Sequence, residues 1–263
     1  MKRFTGRKKK EGTTVEFRRM GKKLLHATLY KDLDAFDECI AECPEVVSFR
    51  NTHGETPIHF CVYDLEMTQR VVAAGFDVNA KTDSMQTALH MAAAAGQTDV
   101  IKYLIEQGVD VNVQCWSGAS AAHTACKYGK LKALKILVDA GASIDKKTWR
   151  GSSPAHLAAK HGWVGTLKYL LVLGSPLNVK SYEFSGDGDT VLDLAVKRGV
   201  DQEVLTLIVH KGGKFCSLSN VKKGRSESGV SKETALFLRN EFEAFKIATK
   251  QQKREARAEK NNK

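Results

Sequence analysis

The chain has 263 residues, a formal net charge of +11, 42% apolar side chains and 27% charged ones. That composition suits a folded protein and argues against wholesale disorder, and no run approaches the ~18 consecutive apolar residues of a membrane span. The six cysteines (39, 43, 61, 115, 126 and 216) form no CxxC pair, so they read as reduced thiols of an intracellular protein, cytoplasmic or nuclear.

The opening stretch, MKRFTGRKKKEG, is basic and lacks the apolar core of a secretory leader, so none is expected. Residues 1–23 carry ten basic and two acidic side chains and read as a basic N-terminal tail. Residues 24–50 follow with helix-pair spacing through Leu25, Leu29, Leu33, Phe36 and Ile40, and with five acidic residues among positions 32–42. They are expected to form a polar, solubilising cap.

From residue 51 one tetrapeptide recurs: TPIH at 56–59, TALH at 87–90, SAAH at 120–123 and SPAH at 153–156, in steps of 31, 33 and 33. A fifth copy, TVLD at 190–193, follows after 37 residues. Behind each copy come a small-residue helix, usually a glycine, and a second apolar helix, as in HTACKYGKLKALKILVDAGASID. A fixed period of this length means a stack of like units, none of which can bury its apolar face alone.

In this period, the TPLH-like starts, the A-x-x-G helix break and the G-x-D-V-N endings, residues 24–213 resemble the ankyrin repeat family. The resemblance implies an all-α ankyrin-repeat solenoid, built of antiparallel helix pairs with β-turn fingers. Its repeats fall at about 51–80, 81–113, 114–146, 147–179 and 180–213. It also implies that His59, His90, His123 and His156 are structural, tying helix starts to neighbouring loops. Their even spacing is unlike a single metal coordination sphere. Two copies depart from the pattern: the first is two residues short between its helices, and the fifth carries the insertion SYEFSGDGDT. In the fifth, Asp193 replaces the histidine, so the usual hydrogen bonding is in question there. A minor expectation comes with the family. Leu104 lies eight residues before Asn112 in LIEQGVDVN, an arrangement in which ankyrin repeats are hydroxylated on Asn, although the same motif is structural consensus.

Past residue 213 the pattern stops. Residues 214–230 read as a Gly/Ser/Lys linker, and 231–263 as a basic C-terminal helix and tail. Ser231 is placed to cap that helix, with Leu238, Phe242, Phe245 and Thr249 on one face. Its second half, KQQKREARAEK, has no apolar face.

Catalytic signatures are missing: the chain has no GxxxxGK[ST], GxSxG or HExxH. No enzymatic activity, cofactor or metal is expected. GDGD at 186–189 lacks the ligand spacing of a calcium loop and reads as a lengthened finger. Cys61 and Cys126 occupy positions where small residues recur, and Cys39 and Cys43 lie one helical turn apart with no second pair to complete a zinc site.

The charge is unevenly placed. Residues 24–126 sum to −9, residues 127–180 to +8 and residues 181–213 to −3. Ankyrin-like stacks bind through finger tips and the exposed positions of first helices. Reading one finger register in steps of 33 gives Asp83, Trp116, Trp149 and Tyr182, with Lys147 and Arg150 beside them. The variable positions of the first helices give Lys127 and Tyr128, Lys160 and His161, and Lys197 and Arg198, with Lys130 and Trp163 just past the glycines. Aromatic and arginine side chains are the residue types enriched at interface hot spots. The expectation is therefore a non-enzymatic protein–protein interaction scaffold or adaptor. It would bind an acidic or peptide-like protein partner on the finger and concave face of repeats three to five. The plainer reading is that the tryptophans pack on neighbouring fingers and the lysines are merely solvated. A second function is a subunit of a nucleoprotein assembly, whose tails contact RNA or DNA phosphates through Lys8, Lys9, Lys10, Lys253, Arg254 and Arg257. The sequence assigns no oligomeric state.

Overall fold

A computed structural model of the chain describes residues 5–184, 188–216 and 230–261, with side chains described from residue 15 to 257 within those ranges. Thirteen α-helices and no β-strand occur among the described residues. The chain divides into two compact units, one formed by Met1–Ala125 with Lys132–Ala142 and the other by Cys126–Leu131 with Ser143–Lys263.

The first unit opens with α1 (Thr5–Tyr30) packed on α2 (Leu33–Glu42). The helix breaks at Lys31, whose φ of 59° leaves the right-handed region. Asp32 then caps α2 by accepting the Ala35 amide at 3.0 Å. The helix pair expected of residues 24–50 forms, but its buried face is only partly the one expected. Phe36 is buried as expected, Leu25, Leu33 and Ile40 are half-buried and Leu29 is exposed, while Leu24, Ala27, Thr28 and Cys39 fill the contact, so in α1 the buried face is turned by one residue from the Leu25–Leu29 line. The boundary drawn at residue 24 also falls inside α1. Phe17, upstream of it, meets Phe49 edge-on with ring centroids 5.8 Å apart.

Each repeat supplies two helices. The first helices are α3 (Pro57–Phe60), α5 (Ala88–Ala95), α7 (Ala121–Lys127), α9 (Pro154–His161) and α11 (Val191–Arg198). The second are α4 (Leu65–Ala73), α6 (Thr98–Glu106), α8 (Leu131–Asp139), α10 (Val164–Val172) and α12 (Gln202–His210). In the first unit α3 packs on α1, α4 and α5, and α6 on α4 and α5; in the second α9 packs on α10 and α11, and α12 on α10 and α11. Alanines at the contact, such as Ala92, Ala93, Ala158 and Ala159, are fully buried, which permits the close approach of successive first helices.

The tetrapeptide is a helix-start lock. In the fourth repeat the Ser153 amide donates to His156 Nδ1 at 3.2 Å and the Ser153 hydroxyl lies 2.7 Å from the same atom. His156 Nε2 reaches the Val179 carbonyl at 2.9 Å. His59 and His90 repeat this with the carbonyls of Ala80 and Ala119, each at 3.1 Å, and Ser120 locks His123 in the same way. Because Nδ1 accepts an amide, Nε2 must carry the proton, so these imidazoles work in the neutral form. Burial pushes the pKa of His59, His90 and His156 below the ordinary imidazole value.

The two irregular copies have local causes. In the first repeat α3 gives way to a 3-10 turn at Cys61–Tyr63, and Asp64 caps α4 by accepting the Met67 amide at 2.9 Å. In the fifth, Asp193 Oδ2 accepts the Thr190 amide at 2.9 Å and the Cys216 amide at 3.0 Å. The residue downstream offers an N–H where the earlier repeats offer a C=O, so a carboxylate replaces the imidazole and the lock is kept.

The second unit ends with α13 (Lys232–Asn261), which packs on α12. Ser231 Oγ accepts the Thr234 amide at 3.1 Å, as expected of a cap. Ala235 and Leu238 are buried, Phe242 lies 5.5 Å from Phe215, and Phe245 stacks on His210 at 6.0 Å. From Lys250 to Arg257 every side chain is exposed. Among the described residues no helix is long and apolar enough to cross a membrane.

Candidate partner-binding surface

Helix α9 stops at His161 because Gly162, at φ 73°, takes a left-handed conformation open to glycine without strain. A Cβ there would lie 3.2 Å from Arg198 Cγ and Nε, so the arginine side chain rests against the bare backbone. Helix α11 ends at Arg198 in the same way. The ends of these adjacent helices bring Lys160, His161, Lys197 and Arg198 together. With Leu194 they line an open cleft of about 340 Å³.

The electrostatics of the cleft converge on His161. Partial burial first, then the cations Lys127, Lys160 and Arg198, lower its pKa, and Glu183 opposes them weakly. Three successive first helices thus place positive charge on one imidazole. Lys197 differs from its neighbours, since its Nζ lies 2.6 Å from Oδ1 of the buried Asp189. Asp189 in turn exchanges two 2.8 Å backbone hydrogen bonds with Ser181, closing the base of the fifth finger. Beside it the Ser152 hydroxyl lies 2.6 Å from Ser181 Oγ and donates to Glu183 at 2.5 Å. Lys160 Nζ sits 5.1 Å from the Phe184 ring centroid, within cation–π range.

The finger aromatics stand out from the surface. In the second unit Trp149 and Tyr182 are 75% and 53% exposed, and the Tyr182 amide donates to the Arg150 carbonyl at 2.8 Å, fixing one finger to the next. Lys147 and Arg150 are exposed beside them. Trp116, 78% exposed, belongs to the first unit, where its amide donates to Ser84. The other twelve expected contact residues all fall in the second unit.

Trp163 is exposed but also engaged within the fold. Its indole N–H donates to the Lys127 carbonyl at 3.0 Å and its ring lies over Gly129, where a Cβ would come within 2.4 Å. The ring is partly committed to packing, although it remains 42% exposed. Tyr128 is exposed with Lys127 Nζ 5.5 Å from its ring, and Lys130 is half-buried. Lys253, Arg254 and Arg257 are exposed along α13. The side chains of Lys8, Lys9 and Lys10 lie outside the described residues, as do residues 185–187 of the GDGD insertion and most of the 214–230 linker.

Asn112 donates its side-chain amide to the Gly141 carbonyl at 3.0 Å, a structural use of the motif that also suggested hydroxylation. Burial pushes the Cys61 thiol up to about 12 and raises that of Cys126 as well. Among the described residues no three His, Cys, Asp or Glu side chains gather to hold a metal ion. The residues that sequence reasoning missed are Phe184, Glu183, Asp189 and Leu194; the first three sit in the insertion, whose length was the one available signal.

Helix pairs that each open with a hydroxyl-and-imidazole or hydroxyl-and-carboxylate lock define an all-α repeat solenoid. A family model for ankyrin repeats matches in three copies, over residues 13–115, 63–148 and 122–219, and the chain belongs to the ankyrin repeat family. Repeats of this family generally mediate protein–protein interaction. No curated protein sequence matches the chain.

Proposed function

We propose that this protein is a non-enzymatic interaction scaffold of the cytoplasm or nucleus, gripping an acidic or peptide-like partner segment on the second unit. The observation that carries the reading is the cleft: four basic or imidazole side chains from two neighbouring helices line one concavity. Exposed Trp149 and Tyr182 supply apolar anchors in the same unit. Charge complementarity of this kind sets orientation and association rate, and buried aromatic anchors supply most of the affinity.

The test is recovery of bound proteins from nuclease-treated lysate. Wild-type protein is compared with Lys160→Glu/Arg198→Glu and with Trp149→Ala/Tyr182→Ala, each checked for native helicity by circular dichroism. Both pairs should lose the same partners. An unchanged partner set in both would remove the cleft and fingers as the site. A second reading, a nucleoprotein subunit held through its basic ends, draws on the exposed Lys253, Arg254 and Arg257. It requires that nuclease abolish the association, and that the salt slope fall by about one unit for each phosphate-contacting cation removed.

A further inference from the structure

Resting on that reading, we propose that the group seated in the cleft is a phosphoryl group, carried by a phosphorylated Ser or Thr of the partner, rather than a carboxylate. The first argument is uncompensated charge. Lys197 is neutralised by Asp189 and forms a fixed wall. Among the described residues, Lys127, Lys160 and Arg198 pair with no carboxylate. A carboxylate would offset one of these three charges. A phosphomonoester brings about −1.5 to −2 at pH 7 and three acceptor oxygens.

The second argument is the source of the attraction. Helices α9 and α11 present their C-terminal ends to the cleft, and those ends carry partial negative charge. Those ends oppose an anion, so the attraction must come from the side chains alone, and Lys127, Lys160 and Arg198 must outweigh the helix ends. The third argument is geometry. The Arg198 side chain runs through the space that a side chain at residue 162 would fill, and its planar fork suits two phosphate oxygens.

His161 completes the site. It faces Lys127 from α7, Lys160 from its own helix, Arg198 from α11 and Glu183 from the finger. Held neutral by burial and these cations, it offers a ring N–H to an oxygen and can take up a proton when a dianion arrives.

The full-length chain is titrated by calorimetry, at 0.15 M salt, with three short peptides of otherwise neutral residues centred on phosphoserine, serine or glutamate. The phosphoserine peptide should bind at least tenfold more tightly than the glutamate one, and the serine peptide should not bind. Arg198→Ala should weaken the phosphopeptide tenfold or more and Arg198→Lys less, with circular dichroism unchanged. In NMR the His161 ring should titrate at higher pH in the complex than in the free protein. Equal affinity for glutamate overturns the inference and leaves the acidic-partner reading intact. Failure of all three peptides overturns the inference, and the lysate experiment then decides the broader reading separately. An Arg198→Ala protein that binds as wild type places the phosphate elsewhere and also overturns it. So does a single-stranded oligonucleotide that displaces the phosphopeptide at lower concentration than inorganic phosphate, because the ligand would then be a phosphodiester strand.

Discussion

His156→Asp isolates what the last residue of the tetrapeptide must do. The imidazole accepts the Ser153 amide at 3.2 Å and donates to the Val179 carbonyl at 2.9 Å, in a fully buried position. A carboxylate could keep the first bond but would set an oxygen against the second carbonyl with no proton between them. The loss is one hydrogen bond, plus an orphaned buried carbonyl, plus a carboxylate buried near that of Asp189, with no hydrogen-bonded cation beside it. An uncompensated buried charge costs about 3–5 kcal/mol and orphaning a polar group about 1–3 kcal/mol, so His156→Asp should cost about 4 kcal/mol. His156→Gln retains an acceptor and a donor and should cost about half as much, chiefly in fit and side-chain ordering. Urea denaturation followed by far-ultraviolet circular dichroism reads the difference as a shift in midpoint. A His156→Asp protein as stable as His156→Gln would refute the assignment of donor and acceptor roles in all the locks.

Two further outcomes follow from the same packing. His59, His90 and His156 are held below the ordinary imidazole value of 6.5 in the folded chain, so on acidification the unfolded chain takes up protons first. Stability should be full above about pH 6.5 and fall below it, by up to about 1.4 kcal/mol per pH unit for each histidine; denaturation midpoints at pH 7.5 and 5.5 measure it, and a flat profile would contradict the neutral locks. The thiols should divide by burial: Cys43 and Cys216 are half-buried while Cys39, Cys61, Cys115 and Cys126 are buried. Native protein should therefore expose at most two of its six thiols to Ellman's reagent, and mass spectrometry finding Cys61 labelled as fast as Cys43 would count against the packing.

The repeats were legible because a period needs no tertiary information. Four histidines at steps of 31, 33 and 33 mark where each first helix begins, and every one of those helices forms. The cap was read less well. Its two helices form, but Leu29 is exposed and Leu24 and Ala27 are buried, because the contact with α2 selects a face that spacing alone leaves one residue out. The basic register of Lys160, His161, Lys197 and Arg198 was visible because the repeat puts these residues at equivalent positions, at the ends of adjacent first helices. That Lys197 is tied to Asp189, or that Lys160 lies over Phe184, depends on how the insertion folds back, and no periodicity describes an insertion. Trp163 is at the surface as its register implies, but that its indole finds a carbonyl 36 residues earlier was equally out of reach of a period.

That contact equips the protein with an optical gauge. Indole emission depends on the polarity around the ring and on what its N–H touches. Trp163 is held by the Lys127 carbonyl and pressed over Gly129, whereas Trp116 and Trp149 sit at exposed finger tips. The protein therefore carries one tryptophan whose spectrum follows its own contact with residues 127–129, and two whose spectra follow whatever settles on the fingers. Selective quenching separates the two signals without any label.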